Sequence, residues 1–397
     1  MSDARIYLDH GATTPVDPQV IEAMNEVMLT DFGNPSSAHQ FGAQARKYLT
    51  GARLTIARLI NASPDEIVFN SGGSESDTWA LRGVAYANRS RGNHLITTVI
   101  EHPAVLETAR QLEKEGFQVT FLPVDSEGFI DPKELEKAIT PATILVSIMA
   151  ANNEIGTIQD LDRIGSICKK HDVYFHSDAV QAFTKTPLDV KAMNISLLSL
   201  TAHKIHGPKG VGCLYIRKGT RIDKMVFGGH QENNKRAGTE NVPGIVGFGK
   251  AAELAAPKYI GKMTELRDHF IARVEKEIPD VRLNGPRGDK RLCNNVNISF
   301  LYIEGEGILM HLDMYGIGVS TGSACSSQNL EPSHVLTAIG LLHEQAHGSI
   351  RFTLGRENTR KQIDFTIDHL KEVIAKLRAF SSLREGVIYD ATEEVHH

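Results

Sequence analysis

The order of strand-type and helical patterns constrains the fold of this chain more than any other feature. Between residues 66 and 216, seven short apolar stretches that are typical of strands alternate with longer helical patterns. The seven stretches are residues 66–70, 94–99, 119–122, 143–148, 173–176, 197–200 and 212–216. The stretch 143–148 is almost continuously apolar, as expected for a strand that helices cover on both faces. The alternation predicts an α/β fold with a mainly parallel sheet flanked by helices.

The pattern changes near residue 251. A long helical pattern covers 251–276, and strand-type segments follow at 295–300 and 350–352. Further helical patterns cover 307–314 and 360–380. We therefore expect a second, smaller α+β domain, with a boundary within about ten residues of Pro257.

The charge balance and the cysteine content exclude several classes of protein. Lys and Arg number 43 and Asp and Glu 48, so the formal net charge over 397 residues is −5, with no sign of a nucleic-acid or membrane partner. No signal peptide and no apolar run of membrane-spanning length is visible, and a cytoplasmic protein is expected. The spacing of the four cysteines fits neither a zinc site nor a secreted disulfide framework. They are Cys168, Cys213, Cys293 and Cys325.

Two segments at strand ends carry groups that could hold a cofactor. Lys204 follows the strand at 197–200 and stands between two histidines, before a Gly/Pro turn. Burial of a lysine at such a place lowers the pKa of its amine and frees it to form a Schiff base. Asp178 follows the strand at 173–176, and a carboxylate there could pair with a pyridinium nitrogen. The alternatives are a surface lysine in a turn and an aspartate that caps the next helix.

Two other strand-to-helix junctions point to an anion site and to a proton-transfer group. Residues 70–76 place two glycines before a helix start, where free N–H groups bind anions. The segment matches neither the dinucleotide nor the P-loop pattern. His102 could stack on a flat cofactor or move protons. A plain capped turn and a structural histidine remain the alternatives.

The surroundings of Cys325 differ from those of the other three cysteines. Residues 320–328 are nearly all small or polar, so this stretch is expected to be a mobile, exposed loop. An exposed cysteine is a candidate nucleophile. Cys168, Cys213 and Cys293 lie in or beside strand and helical patterns, and they are expected to be buried packing residues.

The stretch 343–347 matches the zinc-protease pattern H-E-x-x-H. In such proteases both histidines lie on one face of a continuous helix and bind zinc. Here Gly348 follows at once and a strand-type segment comes after it, so the match is interpreted as accidental and no metal site is expected.

Several motifs, in the right order, resemble those of the NifS/IscS-type cysteine desulfurases, which are pyridoxal-phosphate enzymes of fold type I in the class V aminotransferase superfamily. The matching segments are residues 7–15, 32–37, 152–156, 322–325 and 349–352. The resemblance implies a large pyridoxal-phosphate-binding domain at 15–260 with a seven-stranded sheet. It also implies a small domain formed by 1–14 and 261–397, which carries a mobile cysteine loop at about 321–333. The implied assembly is a homodimer with active sites at the subunit interface.

The resemblance also implies roles for single residues. Lys204 would form the Schiff base, Asp178 would pair with the pyridine nitrogen, and His102 would stack on the ring and assist proton transfer. Arg351 would clamp the substrate carboxylate, with Asn34 nearby. The implied cofactor-binding set is Gly73, Ser74, His102, Asn153, Asp178, Gln181, Thr201, His203, Lys204 and Thr239, the last of these from the neighbouring subunit.

The implied reaction converts L-cysteine to L-alanine and leaves the sulfur as a persulfide on Cys325. The implied acceptors are an IscU-like iron–sulfur scaffold protein, for which the tail 394–397 resembles the docking end, and tRNA thiolation. Whether Cys325 transiently ligates a cluster stays open. The sequence departs from the common family pattern at His10-Gly11, at Gly73-Ser74 and at His343, which leaves substrate preference less well defined than the chemistry.

Three rival hypotheses remain. The nearest is another pyridoxal-phosphate enzyme of the same fold, such as an aminotransferase, which has no need of Cys325, or a selenocysteine lyase. A non-catalytic sulfur carrier that retains the fold would lack a cofactor chromophore on Lys204. A zinc hydrolase would carry stoichiometric zinc.

Overall fold

The structure is a computed structural model that describes residues 5–321 and 332–381. Its strands are β1 (Ile6–Tyr7), β2 (Ile67–Asn70), β3 (His94–Thr98), β4 (Gln118–Leu122), β5 (Thr143–Ser147), β6 (Tyr174–Asp178), β7 (Leu197–Thr201), β8 (Gly212–Ile216), β9 (Val281–Leu283), β10 (Asn295–Phe300), β11 (Ile317–Gly318) and β12 (Ser349–Thr353).

The helices in the first part of the chain are α1 (Pro18–Leu29), α2 (Gln40–Leu59), α3 (Gly73–Ala87), α4 (Pro103–Lys114), α5 (Pro132–Ala138), α6 (Leu161–Lys170) and α7 (Gln231–Asn234). Those that follow are α8 (Val242–Leu254), α9 (Pro257–Glu277), α10 (Gly305–Met314), α11 (His334–Ala338), α12 (His343–His347) and α13 (Arg360–Phe380). No helix within the two described ranges is both long and apolar enough to cross a membrane.

The largest sheet has seven strands in the order β2-β8-β7-β6-β5-β3-β4. Strands β3 to β7 pair in parallel, whereas β8 runs antiparallel to both of its neighbours. The predicted α/β fold with a mainly parallel, seven-stranded sheet is therefore confirmed. Every residue of β5, β7 and β8 is buried, because helices cover both faces of the sheet.

A second hydrophobic core surrounds a three-stranded antiparallel sheet in the order β12-β10-β9. Helices α9, α10 and α13 contribute apolar side chains to it, among them Phe270, Leu312 and Ile367. The amino-terminal segment joins the same core, since β1 pairs in parallel with β11 and Leu8 is fully buried there. This grouping supports the proposed division into 15–260 and 1–14 with 261–397, whose boundaries stay a prediction.

The prediction of a single helix over 251–276 is wrong. Two helices replace it, because α8 ends at Leu254 and α9 begins at Pro257. Ala256 has the extended angles φ −134° and ψ 138°. A proline has no N–H to donate to a preceding turn and its ring pushes the residue before it out of the helical region, so the helix ends there and restarts at Pro257.

Candidate functional site

The carboxyl ends of the parallel strands bring most of the predicted site residues to one edge of the seven-stranded sheet. Asp178 is the last residue of β6 and Thr201 the last of β7, and these two strands are hydrogen-bonded neighbours. Thr98 ends β3, and His102 follows four residues later at the start of α4. Ligands of α/β proteins bind at such an edge because the loops that follow the strands converge there.

Lys204 lies three residues beyond β7 and is half-buried, not a solvated surface lysine. Its Nζ donates to the carbonyl oxygens of Gly11 at 2.5 Å and Ala12 at 2.7 Å. The Gln181 side chain donates to the same Gly11 oxygen at 2.9 Å. The amino-terminal segment thus lies against the predicted Schiff-base lysine, and Lys204 and Gln181 meet at one carbonyl.

Asp178 is buried, and its Oδ1 accepts the backbone N–H of Val180 at 2.8 Å. Burial raises the pKa of its carboxyl, while the nearby His102 and Lys204 side chains and the Val180 N–H act in the opposite direction. The carboxyl therefore braces the turn after β6, where the described residues form no helix before β7 for it to cap, and it lies within electrostatic reach of Lys204. A cation held against it would favour its charged form.

His102 is the N-cap of α4. Its Nδ1 accepts the N–H of Ala104 at 3.1 Å, which leaves the ring proton on Nε2. Burial lowers the pKa of His102, with Lys204 lowering it further and Asp178 raising it. His102 is therefore a neutral imidazole in a fixed tautomer, and its Nε2–H is available to a ligand.

The start of α3 is suited to an anion. No side chain caps this helix, so the N–H groups of its first turn are available to a ligand. The Thr201 hydroxyl lies beside Gly72, the residue before Gly73 and Ser74. Its oxygen is 3.9 Å from the position that a Cβ on Gly72 would occupy. The Thr201 hydroxyl donates to the Val211 carbonyl at 3.2 Å.

His203 lies beside the amino-terminal segment. Its Nδ1 is 3.2 Å from the hydroxyl oxygen of Thr13. Burial, with a smaller contribution from the charge of Lys204, lowers the pKa of His203 to about 4. The ring is therefore neutral near pH 7 and can offer a hydrogen bond but no charge.

Arg351 reaches this edge from the three-stranded sheet. Its guanidinium donates to the carbonyl oxygen of Asn153 at 3.2 Å and pairs with Asp9 at 3.0 Å. The side chain is buried, and its Nε has no hydrogen-bond partner among the described residues. Arg351 and Asn153 are therefore in contact, with one N–H of the guanidinium still available.

Two predicted residues of the described chain, Asn34 and Thr239, are not brought to this cluster. Asn34 is exposed, and its Oδ1 accepts the N–H of Ser36 at 2.9 Å. Thr239 lines a separate cavity with Ser71 and Arg236. Cys325 lies outside the described residues, as does the tail at 394–397.

The other three cysteines, Cys168, Cys213 and Cys293, are buried free thiols, and burial raises the pKa of each. They are packing residues, as predicted.

The H-E-x-x-H stretch forms only the five-residue helix α12, which ends at His347, before β12 begins at Ser349. The continuous helix that a zinc protease needs at this motif is therefore not formed. Within the described ranges no group of three or more His, Cys, Asp and Glu side chains could hold a metal ion.

The sequence reasoning missed three carboxylates at this edge. Asp9 pairs with Arg351, while Glu101 and Glu154 are buried next to His102 and Asn153 in the chain. Glu101 accepts hydrogen bonds from the Thr98 hydroxyl at 2.8 Å and from the Met149 N–H at 2.9 Å. Burial raises the pKa of Glu101 to about 8 and that of Glu154 to about 7. An acidic residue directly beside a predicted site residue was a signal that could have found both.

Comparison with known proteins shows the family to which the chain belongs. The family model for aminotransferase class-V matches residues 6–365. Cysteine desulfurase IscS of Dictyoglomus turgidum (strain DSM 6724 / Z-1310) is 56% identical over 383 residues, which are 96% of this chain and 97% of that protein.

Solved structures show the same relationship. A NifS-like protein superimposes with a TM-score of 0.89 at 40% identity, covering 94% of this chain and all 100% of that one. SspA in complex with cysteine superimposes with a TM-score of 0.81 at 37% identity, covering 90% and 100%. The chain therefore belongs to the class-V aminotransferase family and, within it, to the cysteine desulfurases of the NifS/IscS type.

Proposed function

We propose that this protein is a pyridoxal-phosphate-dependent cysteine desulfurase that converts L-cysteine to L-alanine and transfers the sulfur to Cys325. The observation that carries the proposal is the convergence at one sheet edge of Lys204, Asp178, His102 and Arg351. This reaction needs the four groups that they supply: an amine, a buried carboxyl, a neutral imidazole and a guanidinium, in that order. The relatives named cysteine desulfurase support the same conclusion.

The residues present fit pyridoxal phosphate. The uncapped start of α3 with Gly73 and Ser74, together with Thr201 and His203, would hold the phosphate. Asp178 would face the pyridine nitrogen, and the positive charge there would offset the burial that raises the pKa of the carboxyl. Gln181 and Asn153 would address the ring hydroxyl, and Thr239 would reach the phosphate of the partner subunit. When bound, the cofactor supplies a carbonyl for an amine and an electron sink for a carbanion.

The chain's own residues would bind the substrate and move its proton. Arg351 would hold the carboxylate of L-cysteine by a bidentate pair of hydrogen bonds, and Asp9 would keep the guanidinium in place from its other side. The Lys204 amine would take the proton from the substrate Cα. The fixed Nε2–H of His102 would donate a proton to the bound substrate.

Chain connectivity brings Cys325 within reach of this site. Ser320 and Arg351 exchange two backbone hydrogen bonds, of 3.2 and 2.7 Å. Cys325 is four residues beyond Thr321, so its Cα can lie at most about 14 Å from that of Thr321. The Cys325 thiolate would attack the substrate sulfur, forming the S–S bond as the C–S bond breaks, and alanine would leave after protonation of its β-carbon.

A homodimer in the cytoplasm is part of the proposal. Helices α1 and α2 and the loop between them expose large apolar side chains, including Leu29 at 78%, Phe32 at 71% and Phe41 at 56%. Exposed apolar surface of this kind favours association with a second subunit. The persulfide on Cys325 would pass to an iron–sulfur scaffold protein, and tRNA thiolation would be a second outlet.

The test is to mix the pyridoxal-phosphate-loaded protein with L-cysteine and dithiothreitol and to measure alanine and sulfide together. We expect equal amounts of both. Cys325→Ala should keep the yellow, borohydride-reducible chromophore on Lys204 and lose sulfide release by at least about 100-fold, because the sulfur acceptor is gone. Sulfide release at the wild-type rate by Cys325→Ala would contradict transfer through a persulfide.

A further inference from the structure

Both ends of the stretch that carries Cys325 are attached to the candidate site. At the amino-terminal end, Ser320 pairs with Arg351 through its backbone. At the other end the chain enters α11 at Ser333 and His334. The side chains of Ser333 and His334 do more than begin a helix. Each of them bonds a loop that holds a predicted cofactor-binding residue.

Ser333 is buried and binds a buried carboxyl. Its hydroxyl donates to Oε2 of Glu154 at 2.5 Å, and the hydroxyl oxygen accepts the N–H groups of Val335 and Leu336 at 3.2 and 3.3 Å. Ser333 therefore caps α11 and binds Glu154 with the same oxygen. Glu154 immediately follows Asn153 in the chain, and the Asn153 carbonyl accepts a hydrogen bond from Arg351.

Glu154 is itself held firmly. Its backbone N–H donates to the side chain of Asn152 at 2.9 Å. Its carbonyl oxygen accepts from the side chains of Asn295 and Asn297 at 2.9 and 3.1 Å. Since both asparagines belong to β10, the Glu154 carboxyl is presented from a fixed backbone.

A second contact fixes the same helix start. His334 Nε2 is 3.0 Å from the carbonyl oxygen of Glu101, the residue before His102. Val335 and Leu336 form one apolar cluster with Ile100 and Ile155. The start of α11 is thus attached to the loop that carries His102 and to the loop that carries Asn153.

We propose that Glu154 is a positioning residue for sulfur transfer, which holds Ser333 and thereby fixes the point where the stretch bearing Cys325 rejoins the site. This inference rests on the proposed function. Glu154 does not touch the reacting atoms. It ties Ser333, which follows Cys325 in the chain, to the Asn153 loop, while Ser320, which precedes Cys325, pairs with Arg351. Holding the chain on both sides of Cys325 would favour a productive approach of its thiol to the substrate.

The experiment compares Ser333→Ala, Glu154→Ala and Glu154→Gln with the wild type, all as pyridoxal-phosphate-loaded full-length protein. In single turnovers with L-cysteine, the first absorbance change of the chromophore reports substrate binding. Quenching, alkylation and mass spectrometry report the persulfide on Cys325. Thr366→Val is the matched control, because Thr366 is a buried residue of α13 whose hydroxyl bonds the Gln362 carbonyl at 2.9 Å, and α13 supplies no residue of the site.

We expect persulfide formation to slow about 10-fold in Ser333→Ala and Glu154→Ala, the worth of one buried hydrogen bond to a carboxyl group. The first absorbance change and KM should stay within about twofold of the wild type. Glu154→Gln should slow the step by only about threefold, since its amide oxygen still accepts the Ser333 hydroxyl. Thr366→Val should behave as the wild type.

If a variant slows substrate binding and persulfide formation equally, the role of Glu154 is merely structural and the inference is overturned. Persulfide formation at the wild-type rate in Ser333→Ala would also overturn it. If Glu154→Ala does not fold, Ser333→Ala and Glu154→Gln carry the test. Failure of the proposed function is distinguishable, because the wild type itself would then release no alanine from cysteine.

Discussion

The edge of the seven-stranded sheet and the three-stranded sheet both supply residues to the candidate site, but they hold those residues in different ways. Asp178 and Thr201 end adjacent buried strands, so their separation is set by the hydrogen-bond ladder of the sheet. Arg351 lies on β12, pairs with Asp9 of the amino-terminal segment and reaches the edge through a hydrogen bond to the Asn153 carbonyl.

The difference separates two tasks. Residues at the strand ends have a rigid geometry suited to charge stabilisation and proton transfer, which depend on small distances. Arg351 reaches the loop that follows β5 by a hydrogen bond to the Asn153 carbonyl, and such a contact can adjust when a substrate carboxylate enters. Substitutions at the strand ends should therefore affect kcat, and those on the three-stranded side should affect KM.

Asp178→Asn should have the largest effect. We expect kcat for cysteine desulfuration to fall about 1,000-fold, which corresponds to about 4 kcal/mol of transition-state stabilisation, because a neutral amide cannot keep the pyridine nitrogen protonated. KM should change little. Steady-state kinetics checks this, with circular dichroism as the control for folding. A kcat within tenfold of the wild type would remove Asp178 from its proposed role.

Arg351→Lys comes next. An ammonium group cannot form the bidentate pair with a carboxylate, and we expect KM for L-cysteine to rise about 30-fold, equivalent to about 2 kcal/mol. Arg273→Lys is the matched control, since Arg273 pairs with Glu277, Asp364 and Asp368 on the outer surface. An unchanged KM in Arg351→Lys, or a fall in kcat alone, would contradict the division between the two regions.

Glu101→Gln should act on stability instead of on kinetics, and its effect is seen in the pH dependence of unfolding. Burial raises the pKa of Glu101 from its ordinary 4.5 to about 8, so between these values the folded protein keeps a proton that the unfolded chain releases. This group therefore lowers the free energy of unfolding as the pH rises, by up to about 1.4 kcal/mol per pH unit. Glutamine cannot titrate, so the variant should gain stability relative to the wild type from pH 5 to pH 8.

Urea unfolding at pH 5, 6.5 and 8 measures this difference. The buried histidines His10, His203 and His206, whose pKa values burial lowers to about 4, contribute the opposite slope between pH 4 and 6.5. Their contribution is common to both proteins and cancels in the comparison. A constant difference between variant and wild type across this range would mean that Glu101 is ionised in the folded state.

Local patterns were enough to predict the strand ends and much of the site. The alternation of strand and helix placed Lys204, Asp178 and His102 after predicted strands, and the parallel arrangement brings such loops to one edge. The long helix at 251–276 failed for a local reason as well, because Pro257 breaks it. The contacts of Arg351 with Asp9 and of Glu154 with Ser333 join residues 342 and 179 positions apart, which no local pattern encodes.

The sequence by itself determined the fold class, which follows from periodicity. It also determined the family and the proposed chemical groups, which follow from the resemblance of several ordered motifs. Only the tertiary structure decided which carboxylates are buried beside them and how the two cores meet. Burial and cross-chain hydrogen bonds depend on the packing of distant segments, and that packing sets the pKa values of Glu101 and Glu154 and the partner of Arg351.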